Sequence, residues 1–233
     1  MTLSPALIVF DCDGTLADSQ HVIAEAMRLT FESADLAAPG RKVVLRTVGL
    51  SVPEAIKVLA PEQFPEKRGE LAHSYREHVA ALRRQPYGQE PLFPGAGALL
   101  SKLAAKDDVI LGIATGKSRR GAMRFIEENR LQGIFSTIRT ACDAPSKPHP
   151  AMLLQAMEET GASPESTVMI GDTSYDMIMA ACANVEAIGV SWGYHTPADL
   201  KMSGAGTIVS SFSALERALL DWQTAAQHFE AVA

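Results

Sequence analysis

Four stretches of this 233-residue sequence place carboxylates, a hydroxyl or an ammonium group close behind an apolar run. Asp11 and Asp13 are two residues apart, and Asp172 and Asp176 form a second, more widely spaced pair. The full set of candidate reactive side chains is Asp11, Asp13, Thr115, Lys147, Asp172 and Asp176. We expect these side chains to meet in one site.

These residue types suit phosphoryl transfer. Carboxylates that converge repel one another unless a hard divalent cation lies among them, and Mg²⁺ prefers such oxygen ligands. One carboxylate can attack phosphorus and form an aspartyl-phosphate, while another serves as acid and base for the leaving group and for water. A lysine, a hydroxyl and backbone amides would stabilise the charge of the transferring group.

The apolar runs predict the strands that would bring these side chains together. Each run is short and unbroken, which is typical of a strand buried on both faces of a parallel sheet. The predicted strands cover residues 6–10, 109–114, 137–141, 167–170, 187–190 and 207–209, and helical stretches such as 119–130, 150–160 and 175–183 lie between them. This alternation predicts an α/β fold with a doubly wound, Rossmann-like parallel sheet, in which ligands bind at the carboxyl ends of the strands.

One segment, from about Ser19 to Pro86, interrupts the alternation. It contains no clear strand, and its apolar residues recur at helical spacing. We therefore predict a helical insert at residues 18–88, with residues 1–17 and 89–233 forming the α/β core. Segments 16–18 and 87–95 are the predicted hinges, and Asp18 or Ser19 is expected to cap the first helix of the insert.

The composition excludes several classes of protein. With 47% hydrophobic and 21% charged residues, the chain is too apolar for a disordered protein. A net charge of −6 argues against nucleic-acid binding, and the basic pairs Arg83-Arg84 and Arg119-Arg120 are expected on solvated helix faces. The sequence shows no apolar run of membrane-helix length, no signal peptide, and no paired spacing among its three cysteines. We expect a cytoplasmic protein that binds neither nucleic acid nor membrane.

The motifs resemble those of the haloacid dehalogenase-like hydrolase superfamily. The sequence DCDGTLADS at residues 11–19 is similar to the first motif of that superfamily. Thr115, Lys147 before a proline, and GDTSYD at residues 171–176 match the other three motifs in the same order. The insert resembles the helical type 1 cap domain of the superfamily. This resemblance covers nearly the whole chain and implies a Mg²⁺-dependent phosphatase.

The resemblance also implies the roles of the acidic residues. Asp11 would be the nucleophile and a Mg²⁺ ligand, and Asp13 would be the general acid and base, with its backbone carbonyl on the metal. Asp172 would complete the protein ligands of the metal, and Asp176 would hold either a metal-bound water or Lys147. The superfamily's dehalogenases lack the aspartate found here at position 13, so its presence favours phosphate chemistry.

A second group of residues would, by the same resemblance, bind the phosphoryl group. Thr115 and the Gly116 amide would hold its oxygens, and Lys147 would neutralise its charge. Gly14 and Thr15 would shape the loop around it.

The segments 93–95 and 189–194 resemble the phosphoglycolate phosphatase and pyrophosphatase branch of the superfamily. This implies a small phosphorylated metabolite, phosphoglycolate-like, as the substrate of a monomer or homodimer. Pyrophosphate and nucleoside monophosphates are alternative substrates, and a sugar phosphomutase or a non-catalytic phosphate-binding protein are further alternatives. In β-phosphoglucomutase-like relatives a histidine and an arginine stand where this chain has Ile23 and Val52, which disfavours the mutase.

Some residues near the motifs keep two interpretations. Lys117 would either lean toward the site or lie at a solvated helix start. Arg46 and the segment 49–51 would either contact a distal anion of the substrate or form a helix end and its cap. Cys12 is expected to pack in the core, because alternation along the chain points it away from its two acidic neighbours.

Overall fold

The computed structural model describes residues 5–232, and the side chains of residues 5–225. Six strands are present: β1 (Ala6–Phe10), β2 (Val109–Thr115), β3 (Thr137–Thr140), β4 (Thr167–Gly171), β5 (Glu186–Val190) and β6 (Thr207–Val209). They form one sheet in the order β3-β2-β1-β4-β5-β6, and every pairing is parallel. The α/β, doubly wound architecture predicted from the apolar runs is confirmed, and each predicted strand end lies within one residue of the observed one.

Helices cover both faces of this sheet. They are α5 (Ala96–Ala104), α6 (Arg119–Glu128), α7 (Ala151–Thr160), α8 (Ser174–Cys182), α9 (Pro197–Met202) and α10 (Phe212–Val232). Strand β1 shows why two layers are needed, since its successive side chains point to opposite faces. Ile8 and Phe10 pack in one apolar cluster, and Leu7 and Val9 pack in another. This double burial explains the unbroken apolar run in the sequence.

The segment between β1 and α5 is a helical insert. Its helices are α1 (Gln20–Glu32), α2 (Arg41–Leu45), α3 (Val52–Leu59) and α4 (Pro65–Leu82), and none of residues 18–88 lies in a strand. A third apolar cluster, with Met27, Phe31, Ile56 and Leu71 among its buried members, holds these helices together. The insert therefore has a core of its own, separate from the two layers on the sheet.

The two connections between the insert and the sheet run side by side. Ala17 and Leu92 form an isolated antiparallel bridge. The Asp18 amide donates to the Pro91 carbonyl at 2.9 Å, and the Phe93 amide donates to the Leu16 carbonyl at 2.9 Å. The chain thus leaves the sheet region and returns to it at neighbouring points.

The expected cap of the first insert helix is wrong in one respect. Ser19 is the N-cap residue of α1, but its side chain makes no capping hydrogen bond. Its hydroxyl instead donates to Asp13 Oδ1, which ties the start of the insert to the candidate site.

No helix within residues 5–232 combines the length with the apolar character needed to cross a bilayer.

Candidate active site

The carboxyl ends of β1, β2 and β4 meet at one edge of the sheet. Phe10 pairs with Ile113 on one side and with Ile170 on the other, so the residues that follow these three strands are neighbours. Asp11 directly follows β1, Thr115 ends β2, and Asp172 directly follows β4. Parallel pairing in register is therefore what gathers the predicted site residues.

Lys147 connects two of the carboxylates. Its Nζ donates to Asp11 Oδ1 at 2.7 Å and to Asp176 Oδ1 at 2.6 Å, and all three side chains are buried. Burial alone would lower the pKa of Lys147, but the two carboxylates raise it, so the ammonium stays charged. Asp176 Oδ2 accepts from the amide and hydroxyl of Thr173, which completes a capping box at the start of α8. Asp176 thus contacts Lys147, which is one of the two partners considered for it.

Asp172 is held rigidly by its neighbours. Thr15 Oγ1 donates to its Oδ1 at 2.8 Å, and the Tyr194 amide donates to its Oδ2 at 2.9 Å. Gly14 and Gly193 lie so close to this carboxylate that a Cβ on either would overlap it, and Gly14 also has φ +87°. These two positions therefore require glycine, because any side chain would displace Asp172.

The acidic residues fit a divalent cation. Asp11, Asp172 and Asp176 each offer a carboxylate oxygen, and these oxygens lie within 4.8 Å of one another. Burial, outweighing the opposing effect of Lys147, raises the pKa of Asp11 to about 7, and burial and the neighbouring Asp11 raise the pKa of Asp172 as well. Asp11 Oδ2 is buried and has no hydrogen-bond partner among the described residues. A buried anionic cluster with a free oxygen is what a hard cation would stabilise.

Thr115 and Gly116 lie where the core meets the insert. Thr115 is fully buried, and its Oγ1 accepts from the Lys117 amide at 3.2 Å. A Cβ on Gly116 would lie 2.6 Å from the Leu50 carbonyl oxygen and 2.7 Å from that of Gly49. Only glycine allows the loop of the insert to approach this closely, so Gly116 is part of the contact between the two.

A second buried ionic network surrounds Asp13. Lys117 Nζ lies 2.6 Å from Asp13 Oδ1 and 2.9 Å from Glu90 Oε2. Arg83, at the end of α4, binds Glu90 Oε1 through two nitrogens, at 2.5 and 3.0 Å. The network thus joins the core, the returning connection and the insert. The interpretation of Lys117 as a solvated helix start is wrong, because its side chain is buried between two carboxylates.

The insert also docks on the core through one backbone carbonyl. The Arg46 carbonyl accepts from Tyr175 Oη at 3.2 Å and from His195 Nε2 at 3.1 Å. The His195 Nδ1 accepts from the Ser174 amide, so the proton of this ring lies on Nε2. The Arg46 side chain forms an exposed ion pair with Asp199 at 3.3 Å. Arg46 is the C-cap residue of α2, as the helix-end interpretation predicted, and it does not line the cavity described next.

A cavity of about 430 Å³ extends from Asp11 and Asp13 between the core and the insert. Much of its wall is apolar and comes from the insert, including Val22, Ile23, Met27, Val48, Val52 and Val79. Gly49 and Leu50 line it as well. Cys12 does not reach it, because its side chain is buried in the core, as predicted.

Several residues of the site were missed or misplaced by the sequence analysis. Glu90 belongs to no motif, and only the structure shows that it forms ion pairs with Lys117 and Arg83. Arg83 is half-buried rather than on a solvated face, and Arg84 and Arg120, although exposed, line the cavity. Two adjacent arginines in a sequence do not show which of them will face a cavity or a distant loop.

Comparison with known proteins assigns this site to a family. Residues 8–190 match the family model described as haloacid dehalogenase-like hydrolase. The chain belongs to this family. The fold, the order of the four motifs and the sheet-edge site agree with that membership, and the resemblance inferred from the sequence is confirmed.

Individual relatives are phosphatases by name. The chain is 34% identical over 211 residues, covering 89% of this chain and 90% of the relative, to "Probable phosphatase IndB" of Dickeya dadantii. It is 27% identical to a phosphoglycolate phosphatase of Nitrosococcus oceani, covering 94% and 98% of the two chains. A crystal structure of a predicted phosphatase from Clostridium acetobutylicum superposes with a TM-score of 0.83 at 25% identity, covering 94% of this chain and all of that one. The predicted enzyme class, a phosphoric monoester hydrolase, is confirmed by these likenesses.

Proposed function

We propose that this family member is a Mg²⁺-dependent phosphatase that hydrolyses a small phosphomonoester through an aspartyl-phosphate on Asp11. The main support for this proposal comes from the hydrogen bonding of the two Asp11 carboxylate oxygens. One of its oxygens is held by Lys147, and the other is buried without a partner among the described residues. Asp11 is therefore oriented, and it keeps a free oxygen beside the cavity.

Asp11, Asp172 and the Asp13 carbonyl are the residues that would hold Mg²⁺. When bound, the ion would offset the repulsion between these carboxylates and the anionic phosphate. The phosphoryl group would be oriented by Thr115 and the Gly116 amide, with the loop of Gly14 and Thr15 around it. Family members in general use Mg²⁺, and the buried acidic cluster supports the same choice here.

The reaction balances with the residues present. An Asp11 oxygen attacks phosphorus, the bond from phosphorus to the ester oxygen breaks, and the Asp13 carboxyl gives its proton to the departing alcohol. Asp13 then takes a proton from water, whose oxygen attacks phosphorus and releases Asp11 and inorganic phosphate. Lys147 remains charged throughout and neutralises the phosphoryl oxygens.

A phosphoglycolate-like ester is the proposed substrate class, as the names of several relatives suggest. The apolar wall of the cavity favours an organic ester over pyrophosphate, because pyrophosphate offers no apolar surface to bury. Ile23 and Val52 both line the cavity, and neither can donate to a second phosphate, which again disfavours a mutase.

We also propose that residues 18–88 act as a cap domain on a core of residues 1–17 and 89–233. The separate apolar cluster of the insert and its paired connections support this division. Closure would exclude water from the reacting phosphate and limit the size of the substrate.

Substitution of the two aspartates of the first motif tests the mechanism. With p-nitrophenyl phosphate and Mg²⁺, Asp11→Asn is expected to abolish turnover, because an amide is not a nucleophile toward phosphorus. Asp13→Asn should lose at least ~10²-fold and accumulate phosphoenzyme, because the base for the second step is missing. The exposed Asp107→Asn, remote from the site, is the control.

Mass spectrometry after an acid quench would locate the phosphoryl group in the Asp13→Asn protein. A phosphoryl adduct on a residue other than Asp11, or an Asp11→Asn protein with a near-native rate, would refute the proposed mechanism.

A further inference from the structure

The cavity beside Asp11 is larger than a two-carbon phosphate ester requires. Its volume of about 430 Å³ falls within the ~300–1,000 Å³ of pockets that bind drug-sized ligands. Val22, Met27 and Val79 are among the apolar residues of its wall. A substrate that fills this space has an apolar body between its phosphate and its far end.

Five arginines also line the cavity, three from the insert and two from helix α6. They are Arg76, Arg83, Arg84, Arg120 and Arg124. Arg83 is neutralised by Glu90, and Arg124 pairs with Glu128 at 2.5 Å. The side chains of Arg76, Arg84 and Arg120 make neither an ion pair nor a hydrogen bond with any residue in the part of the chain that the structure describes. The side chains of these three cavity-lining arginines are therefore available to a ligand.

Lack of a partner alone does not mark a site, since Arg130 and Arg217 are also exposed and unpaired among the described side chains. What distinguishes the three arginines is their place. They are exposed and line the same cavity as the buried Asp11, so they lie on its solvent side. Arg76 and Arg84 belong to the insert and Arg120 to the core, so a ligand between them would be held from both sides.

Each acidic residue that lines the cavity already has a basic partner. Asp11 is paired with Lys147, and Asp13 and Glu90 share Lys117. The three arginines thus leave an excess of positive charge in a protein whose net charge is −6. An anion bound on this side of the cavity would offset the positive charge of the three arginines.

On the basis of the proposed phosphatase activity, we propose that Arg76, Arg84 and Arg120 form a second anion-binding subsite for the substrate. The substrate is then a phosphomonoester whose apolar body carries a second acidic group, a carboxylate or another phosphate, at the end remote from the reacting phosphorus. The inference therefore narrows the phosphoglycolate-like class to longer members, because phosphoglycolate itself, with its acid one carbon from the ester oxygen, is too short to use this subsite.

A pair of matched substrates tests the inference. One is 3-(4-phosphonooxyphenyl)propanoate, which carries a carboxylate beyond an aromatic body, and the other is its uncharged primary amide. Exposed ion pairs each favour binding by a few fold, so three should make kcat/KM for the acid about tenfold higher than for the amide. In the Arg76→Gln/Arg84→Gln/Arg120→Gln protein this ratio should fall to about two or less. The ratio is measured within each protein, so a general loss of activity cancels.

The controls are Arg68→Gln on the same helix as Arg76, and Arg119→Gln beside Arg120, neither of which lines the cavity. Both should keep the full ratio. Dissociation constants of the two esters, measured by calorimetry on the Asp11→Asn protein with Mg²⁺, test the subsite without turnover. A ratio near one in the parent protein, or an unchanged ratio in the triple variant, would overturn the inference. Failure to hydrolyse either ester, with selective binding of the acid retained, would count against the proposed phosphatase activity alone.

Discussion

Replacing Glu90 with glutamine would remove one negative charge from between buried Lys117 and half-buried Arg83. Glu90 is 5% exposed, and its oxygens bind Lys117 at 2.9 Å and Arg83 at 2.5 Å. Glutamine has nearly the same shape, so the change tests the charge rather than the packing. Lys117 would keep Asp13 as a partner, but Arg83 would lose its only carboxylate among the described residues.

The size of the effect follows from the pKa of Glu90. Burial alone would raise this pKa, but the charges of Lys117 and Arg83 lower it from 4.5 to about 2. Each pKa unit corresponds to about 1.4 kcal/mol, so ionised Glu90 contributes about 3 kcal/mol to the free energy of unfolding at neutral pH. Removing one partner of a buried ion pair lowers the free energy of unfolding by ~3–5 kcal/mol in other proteins, which agrees with the value for Glu90.

The pH dependence has a definite sign. Because the pKa of Glu90 is lower in the folded than in the unfolded state, its contribution is complete above about pH 4.5 and disappears as the pH falls toward 2. Urea denaturation should therefore show Glu90→Gln to be less stable by about 3 kcal/mol at pH 7. The unfolding temperature should fall by about 6–12 °C, and the difference in free energy should shrink to less than about half by pH 3.

Glu128→Gln is the matched control, because Glu128 pairs with Arg124 on an exposed part of α6. That change should cost less than about 1 kcal/mol. A loss below about 1 kcal/mol for Glu90→Gln, or a loss that does not change with pH, would show that Glu90 is not held as an anion by its two neighbours.

Two further predictions concern the metal and the contact with the insert. Mg²⁺ at about 100 times its dissociation constant should raise the free energy of unfolding of the metal-free protein by ~2.7 kcal/mol, and it should leave that of Asp172→Asn unchanged. Calorimetric scans with and without Mg²⁺ measure both values. Full turnover after EDTA treatment would contradict the requirement for the metal. Gly116→Ala should lower kcat/KM by roughly 10–100-fold, because its Cβ would lie 2.6 Å from the Leu50 carbonyl oxygen and push the insert away. Gly69→Ala, where a Cβ would meet nothing within 4 Å, is the control, and equal rates for the two variants would refute this reasoning.

Much of the fold was predictable because its signals are local. A strand buried on both faces needs an unbroken apolar run, and β1 and β4 carry such runs immediately before Asp11 and Asp172. Parallel pairing then places the two aspartates together without further information. The motifs identified the site for the same reason, since three of the four lie directly at the end of a predictable strand, and Lys147 follows the end of β3 by seven residues.

The ionic network around Asp13 was not predictable, because its members are brought together by the return of the chain from the insert. Lys117 and Glu90 are 27 residues apart, and neither position has a spacing that marks a site. Ser19 has the sequence character of a helix cap, yet its hydroxyl binds Asp13, because folding places a charged acceptor within its reach. Such contacts depend on the docking of separate elements, and no local pattern records them.

The bridge between Ala17 and Leu92 has a consequence for how such an enzyme changes over time. Because the chain departs and returns at adjacent points, everything between them can be lengthened, shortened or replaced while the strand register of the sheet is kept. The residues proposed to act on phosphorus lie on the sheet side of this bridge, and most of the apolar wall of the cavity belongs to the insert on the other side. A gene that acquires a different segment at this point would keep the residues that react with phosphorus and would encode an enzyme with a different specificity for the alcohol part of its substrate.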